Sequence, residues 1–364
     1  FTKLLTGRNR IWILSDRQTS AGDNGASLYR YLVANPPKNT KFYYLLDKRS
    51  EAYSEFKRNG KVLQPGSVKA KCLFLASDLI ISSQANDFVI NEFDRDRNLF
   101  KDLYAFRFVF LQHGVILHDQ SNWLNRFSKD ISLFVTSACR ERDSIINGNY
   151  GYSEKEVVLT GLARHDELYT SDRRKIVVAP TWRHGLVGDV DPETLAVPYN
   201  PNFKDSEFFH FYQALIEDPR LNEALRANDY DAELLLHPSF YGQSKDFSST
   251  EKFVVNQPPN DYNKALSEAR IMVTDYSSVA FDFAYLRKPI VYTHFDYEDF
   301  YRNHLWGEGY FDFETDGFGP ITTKLDDLVE ELIRLIESDG THRTVGLGAG
   351  ARGLSLNAAW TMCP

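Results

Sequence analysis

Ile271-Met272-Val273-Thr274-Asp275-Tyr276-Ser277-Ser278-Val279-Ala280-Phe281-Asp282-Phe283-Ala284 is the stretch whose reading decides the fold. Ile271–Thr274 is a short apolar run of the kind that fills a buried parallel strand. Asp275, Ser277 and Ser278 are turn and cap residues. Val279, Phe283 and Leu286 then recur on one face at helical spacing. Ile290–Tyr292 opens another apolar run just after Pro289. Strand, turn, helix and strand make the repeating unit of a doubly wound α/β sheet.

The same rhythm extends in both directions. Upstream, Ile176–Ala179, Glu233–Leu236 and Phe253–Val255 read as strands, with helices predicted at Phe208–Asn228, Tyr262–Ala269, Ser277–Leu286 and Leu325–Glu337. Toward the N-terminus, Ile11–Leu14, Phe42–Leu46, Asp78–Ser82, Phe106–Leu111, Leu133–Thr136 and Val157–Thr160 form a second strand set, with a helix over Ala26–Ala34. Two doubly wound domains are expected, over residues 1–165 and 172–339. The polar run Ala163–Lys175 is the expected linker, and 340–364 is an atypical Gly- and Ala-rich tail. The Pro-containing segment Gly185–Asn202 reads as a long loop.

A chain of 364 residues with 43% hydrophobic content buries a sizeable core without disulfides or a structural metal. With 42 Lys and Arg against 50 Asp and Glu, the net charge of −8 argues against a dedicated nucleic-acid binder. It leaves room for a local basic pocket. Cys72, Cys139 and Cys363 are odd in number and widely spaced, so neither a disulfide framework nor a cysteine zinc site is expected, and a cytoplasmic setting fits. No run approaches the roughly 18 apolar residues of a membrane span, and Phe1–Arg10 has no signal-peptide character.

Ligands of open α/β sheets bind beyond the carboxyl ends of the strands, and polar residues collect there. Asp16, Asp23 and Asn24 follow the first strand; Gln112-His113-Gly114 follows Phe106–Leu111. Thr181-Trp182-Arg183, His237-Pro238, Asp275-Tyr276-Ser277-Ser278 and His294 follow strands of the second half. Each has two readings. Ser277 and Ser278 suit a phosphate at a helix N-terminus or plain helix capping. Arg183 suits a forked phosphate contact or a salt bridge. His113 suits a general base, its ordinary pKa lying near neutrality, or a satisfied structural histidine, and His237 carries the same pair of readings. Gly348 to Gly353 matches G-x-G-x-x-G but follows no strand, so a dinucleotide site is not expected there.

The run from Val273 to Ala284, followed by Arg287-Lys288-Pro289-Ile290, resembles the signature of the CDP-glycerol glycerophosphotransferase family, the teichoic-acid primases and polymerases and related capsule polymerases. Ala179-Pro180-Thr181-Trp182-Arg183, Leu236-His237-Pro238, Thr160-Gly161 with Arg164 and Asp166, and Gln112-His113-Gly114 support it. The likeness is strongest over about residues 106–335 and loose in the first hundred, where Asp23 and Asn24 carry it. The run His113-Gly114-Val115-Ile116-Leu117-His118-Asp119, with Ser121 beyond, is closer to the capsule-polymerase branch than to the Thr-Pro-Leu-Lys continuation of teichoic-acid enzymes.

The resemblance implies a GT-B-like α/β fold, two Rossmann-like doubly wound domains with an interdomain cleft. It implies transfer of a polyol phosphate, glycerol phosphate first, from a CDP-activated donor to a hydroxyl of a growing capsule or teichoic-acid-like polymer, with release of CMP. His113 is then the general base. Arg183, His237, Thr274, Asp275, Ser277 and Ser278 hold the donor pyrophosphate, and Asp23, Asn24, Asp119 and Ser121 are candidates for the acceptor side. No metal and no cofactor are implied. The acceptor could be lipid-linked, which would bring the enzyme to the inner face of the plasma membrane as a peripheral protein. Two other functions share many of these features: a GT-B glycosyltransferase using a nucleotide sugar, and a non-catalytic domain that binds anionic polymer.

Overall fold

The computed structural model describes residues 9–93, 97–171, 173–187, 198–257, 261–303 and 307–340. It divides into two compact units. Within the described residues one unit comprises 9–116 and 120–167, and the other comprises 117–119 and 168–340.

The N-terminal unit is built on seven parallel strands: β1 (Arg10–Ser15), β2 (Thr40–Leu45), β3 (Val62–Leu63), β4 (Leu79–Ser82), β5 (Arg107–Phe110), β6 (Ile131–Thr136) and β7 (Val157–Leu159). Their order is β3-β2-β1-β4-β5-β6-β7, which reverses direction between β1 and β4. Neighbouring residues along a strand face opposite sides of the sheet. Ile13, Leu45, Ile80 and Phe134 accordingly pack into one core, while Leu14, Tyr44, Ile81 and Val135 pack into another. Burial on both faces explains why these strands read as unbroken apolar runs.

The C-terminal unit repeats the plan with β8 (Lys175–Ala179), β9 (Asp231–Leu234), β10 (Phe253–Val255), β11 (Ile271–Thr274), β12 (Ile290–Thr293) and β13 (Ile321–Thr322). The order is β10-β9-β8-β11-β12-β13, all parallel, with the reversal between β8 and β11. The helices that matter below are α1 (Asn24–Ala34) and α2 (Cys139–Asn147) in the first unit. In the second they are α3 (Glu207–Glu217), α4 (Pro219–Ala227), α5 (Tyr262–Glu268), α6 (Val279–Tyr285), α7 (Tyr297–Asn303) and α8 (Leu325–Glu337). Leu215, Leu221, Leu225, Leu328, Leu332 and Leu335 join Ile176, Val178 and Val273 in one core.

Some expectations change. The single helix predicted over Phe208–Asn228 breaks at Asp218, because Pro219 cannot donate an intrahelical N–H; Asp218 instead caps α4 through the N–H groups of Arg220 and Leu221. The polar run at Ala163 is not a solvated linker from its start. Ala163–Glu167 forms a 3₁₀ turn in the N-terminal unit, where Arg164 and His165 are buried and Glu167 pairs with Arg30. Among the described residues Cys72 is a free, exposed thiol. The tail beyond Gly340 and residues 188–197 of the long loop lie outside the described residues. No described helix is long and apolar enough to cross a membrane.

Candidate active site

In the N-terminal unit the chemistry gathers around the turn after β5. Gln112 has φ +62, in the left-handed region that residues with a Cβ rarely enter, and His113 follows it with its side chain exposed. The protein packed around His113 lowers its pKa below the usual histidine value; Asp23 opposes that shift, while Arg17 and Arg164 add to it. The ring is therefore neutral at pH 7, the form a general base requires.

Asp23 and Asn24 sit beneath this turn. Asn24 is fully buried, donates through Nδ2 to the Gln112 carbonyl at 2.7 Å and accepts the Arg164 N–H at 2.9 Å. Both ends of its amide are thus engaged inside the unit. Asp23 is half-buried and accepts from Arg164 Nη1 at 2.9 Å and from Asn24 N–H at 2.7 Å. The reversal point itself, between β1 and β4, is filled by Asp16. Its buried carboxylate takes the N–H groups of Gly25 (2.8 Å), Ala26 (3.0 Å) and Asp23 (3.1 Å), with the hydroxyls of Ser83 (2.7 Å) and Tyr44 (2.8 Å). Burial raises the Asp16 pKa, with Asp23 adding to the effect.

In the C-terminal unit the reversal point between β8 and β11 brings Thr181, Arg183, Thr274 and Asp275 together. Asp275 is wholly buried; it accepts the N–H groups of Thr181 (2.8 Å) and Tyr276 (2.7 Å) and pairs with Arg183 at 2.8 Å. Arg183 is 7% exposed. It also forks onto Asp296 through Nε (2.6 Å) and Nη2 (3.1 Å) and donates to the Thr181 carbonyl at 2.6 Å. Burial works against its charge, but Asp275 and Asp296 outweigh that and keep it firmly protonated. The salt-bridge reading of Arg183 therefore describes its contacts here, and it is a buried pair rather than a surface one. Thr274 is also buried, its hydroxyl donating to the Ala179 carbonyl at 2.7 Å.

His237, Ser277 and Ser278 remain half-buried at the strand ends. His237 Nδ1 accepts the Ser239 N–H at 3.1 Å, so its hydrogen resides on Nε2, and its ring stacks beside Trp182. Ser278 makes no side-chain cap bond to α6, while Ser277 Oγ accepts the Val279 N–H at 3.3 Å. Asp119 belongs by its contacts to this unit, its backbone bridging Gly307, whereas Ser121 opens a short helix in the N-terminal unit.

Two histidines that the sequence reading passed over lie here. His118 is buried in the C-terminal unit, within hydrogen-bond distance of the Tyr276 carbonyl (3.1 Å) and packed against Phe300 and Tyr301. Burial pushes its pKa down to about 4. His294, noted only as a strand-end residue, stacks on Tyr276 at 4.6 Å; burial lowers its pKa, and Nε2 has no hydrogen-bond partner among the described residues. Among the described residues no group of three or more His, Cys, Asp or Glu side chains is placed to hold a metal ion.

Comparison with known proteins bears on this arrangement. The chain is 38% identical over 333 residues to the minor teichoic acid biosynthesis protein GgaB of Bacillus subtilis, covering 91% of this chain and 36% of that protein. It is 28% identical over 186 residues to the teichoic acid poly(glycerol phosphate) polymerase of Bacillus spizizenii, covering 49% of this chain and 45% of the relative. The chain thus spans less than half the length of these relatives. Both are teichoic-acid proteins, so the capsule-polymerase likeness gains no support from them. The solved structure of the wall teichoic acid polymerase TagF has the same fold, with a TM-score of 0.62 at 16% identity over 92% of this chain and 82% of that one. A putative UDP-N-acetylglucosamine 2-epimerase from Listeria monocytogenes follows at 0.51 and 11%, over 90% and 88%. The architecture is GT-B-like. The family model for CDP-glycerol:poly(glycerophosphate) glycerophosphotransferase matches residues 1–345, including the first hundred residues that resembled it only loosely, and the chain belongs to that family.

Proposed function

We propose that this chain transfers a polyol phosphate, glycerol phosphate first, from a CDP-activated donor to a hydroxyl of a growing teichoic-acid-type polymer. His113 takes the proton of the acceptor hydroxyl. The oxygen attacks the donor phosphorus that carries the polyol, and the bond to the bridging oxygen breaks, so CMP leaves with that oxygen. Catalysis rests mainly on positioning and charge stabilisation.

The observation that carries this reading is an accessible histidine, neutral at pH 7, on a locked turn in one unit of a chain from this family. The donor reading is supported by the half-buried His237, whose Nδ1 is fixed by the Ser239 N–H, and by Ser277 and Ser278 on a turn held by the Asp275–Arg183 pair. A TagF variant soaked with CDPG gives a solved structure, which favours a CDP-linked donor. Arg183, Thr274 and Asp275 act in this scheme by fixing the turn. A lipid-linked acceptor and a position at the inner membrane face belong to the same proposal.

The test is CMP release from CDP-glycerol with a teichoic-acid-type acceptor, followed by phosphorus nuclear magnetic resonance of the product. A new phosphodiester supports the reading, and a glycosidic product from a nucleotide sugar replaces it. His113→Ala is expected to lower turnover about 10²–10⁴-fold with CDP affinity retained. Full turnover in that variant removes His113 from the reaction.

A further inference from the structure

The turn that carries His113 is held against its own backbone preference. Gln112, at φ +62, is fully buried, yet it is neither Gly nor Asn. A residue persists in such a conformation only where its surroundings over-determine it. Here three separate segments converge on the turn: two of them bind consecutive backbone carbonyls, and the third holds the Gln112 side chain. From one side the buried carboxylate of Glu141, on α2, accepts Gln112 Nε2 at 3.1 Å and the Ile116 N–H at 2.7 Å. The same carboxylate is anchored by the Ser137 N–H at 2.7 Å and the Ser137 hydroxyl at 2.9 Å. Gln112 Nε2 also donates to the Val135 carbonyl. From the other side Asn24 Nδ2 binds the Gln112 carbonyl, and Arg164 Nη1 binds the His113 carbonyl while also pairing with Asp23. Asn24 Oδ1 accepts the Arg164 N–H, so these two residues form one clamp.

We infer that Asn24, Arg164 and Glu141 are positioning residues for His113, fixing the left-handed Gln112 turn so that the ring is presented in a single orientation to the acceptor hydroxyl. The inference rests on the proposed role of His113 as the base. A purely architectural network would have no reason to engage both carbonyls flanking the exposed histidine. Strain concentrated at a reacting group and fixed by satisfied buried polar groups is the pattern of preorganisation.

The experiment is a double-mutant comparison on the full chain. Asn24→Ala and Arg164→Lys are made alone and in a His113→Ala background, and kcat, donor KM and the thermal midpoint are measured using CMP release from CDP-glycerol. Alone, Asn24→Ala is expected to lower kcat about 10- to 100-fold, with KM changed less than twofold. In the His113→Ala background the same change should cost less than twofold, since the group it positions is gone. Equal losses in both backgrounds overturn the inference. Asn24→Asp retains the acceptor for the Arg164 N–H but sets a carboxylate against the Gln112 carbonyl, so it should not restore kcat; recovery counts against the clamp. Arg164→Lys keeps the charge and reaches only one of the two acceptors, which covers the case where Asn24→Ala does not fold. A second readout needs no turnover: the His113 ring resonances, assigned by their loss in His113→Ala, should shift in both variants. If the wild type releases no CMP, the proposed reaction fails while this measurement still decides the positioning. Unmoved His113 resonances in both variants refute it.

Discussion

Replacing Arg183 by Met tests what the buried cation does. Its guanidinium makes four hydrogen bonds, three of them to carboxylates, and its side chain is 8% exposed beside Asp275 at 0% and Asp296 at 7%. Charge-assisted bonds of this kind contribute about 1.5–3 kcal/mol each when counted singly, but desolvating the ions takes back several kcal/mol, so their sum is not the stability lost. The better guide is that removing one partner of a buried pair costs about 3–5 kcal/mol, because the other charge is left stranded. Asp275 keeps its bonds from Thr181 and Tyr276 N–H, whereas Asp296 retains of its bonds described here only the long one from the Tyr276 hydroxyl at 3.3 Å. Asp296 should therefore account for most of the penalty. Arg183→Met is expected to destabilise the C-terminal unit by about 3–5 kcal/mol, and adding Asp296→Asn should recover about 1–3 kcal/mol of it. Urea titration read by hydrogen exchange at β8 and β11 amides isolates that unit, and CDP affinity is measured calorimetrically on the same proteins. A loss under 1 kcal/mol, or no recovery on adding Asp296→Asn, refutes the reasoning. Weakened CDP binding with stability intact would instead make Arg183 a direct phosphate contact.

Burial holds the His118 pKa near 4 against an ordinary 6.5. The folded state thus prefers the neutral ring, and its contribution is complete above about pH 6.5 and lost as pH falls toward 4. The difference is about 3 kcal/mol, so equal acid sensitivity of the wild type and His118→Gln in urea titrations at pH 7 and 4.5 would rule it out. If His113 is the base, kcat/KM should rise with pH to a plateau with its midpoint below the ordinary histidine value. Asp23→Asn should move that midpoint lower still, because Asp23 stabilises the protonated ring; an upward shift in the pH–rate profile contradicts this. A Cβ on Gly25 would lie 2.4 Å from the Ser15 carbonyl oxygen and 2.5 Å from Asp16 Oδ1. Gly25→Ala should therefore cost about 3 kcal/mol, against under about 0.5 kcal/mol for Gly185→Ala, where nothing lies within 4 Å; similar thermal midpoints for the two would refute it. Ser278→Asp sets a carboxylate at the start of α6, and CDP binding should weaken about tenfold, roughly 1.4 kcal/mol, in calorimetry; unchanged affinity argues against phosphate there.

Most of the strands that were legible carry a run of three or more residues that is largely apolar and buried. β3 and β13 have two residues each and show no period, so they were missed. The break at Pro219 was written in the sequence but was overridden by the apolar spacing on either side. The site was legible as a set of strand-end residues, because a parallel sheet delivers every strand to the same edge. Which of those residues are accessible was not legible. Thr274 and Asp275 carry the family signature yet are wholly buried. The second carboxylate on Arg183 comes from Asp296, 113 residues away, a pairing that only the folded sheet creates. The backbone of Gln112 was equally invisible, since nothing in Gln-His-Gly announces a left-handed residue before the histidine.

The two units share a strand order, and each places an aspartate at its reversal point, but the carboxylates do opposite work. Asp16 follows the first strand of its sheet and turns onto the N–H groups of α1, the helix that comes next. A helix N-terminus in that position is where an α/β sheet ordinarily receives a phosphate, and here it is already neutralised from within. Asp275 follows the fourth strand and reaches back across the sheet to Thr181 and Arg183, away from its own helix α6. No carboxylate then caps α6, and the cap position is left to serines. One fold thus produces a unit whose reversal-point carboxylate occupies the start of its own helix and a unit whose reversal-point carboxylate is paired with an arginine instead. This asymmetry is set by which strand bears the aspartate, and it is why the donor in the proposed function is sought beside Ser277 and Ser278 rather than at the start of α1, where Asp16 already takes the N–H groups.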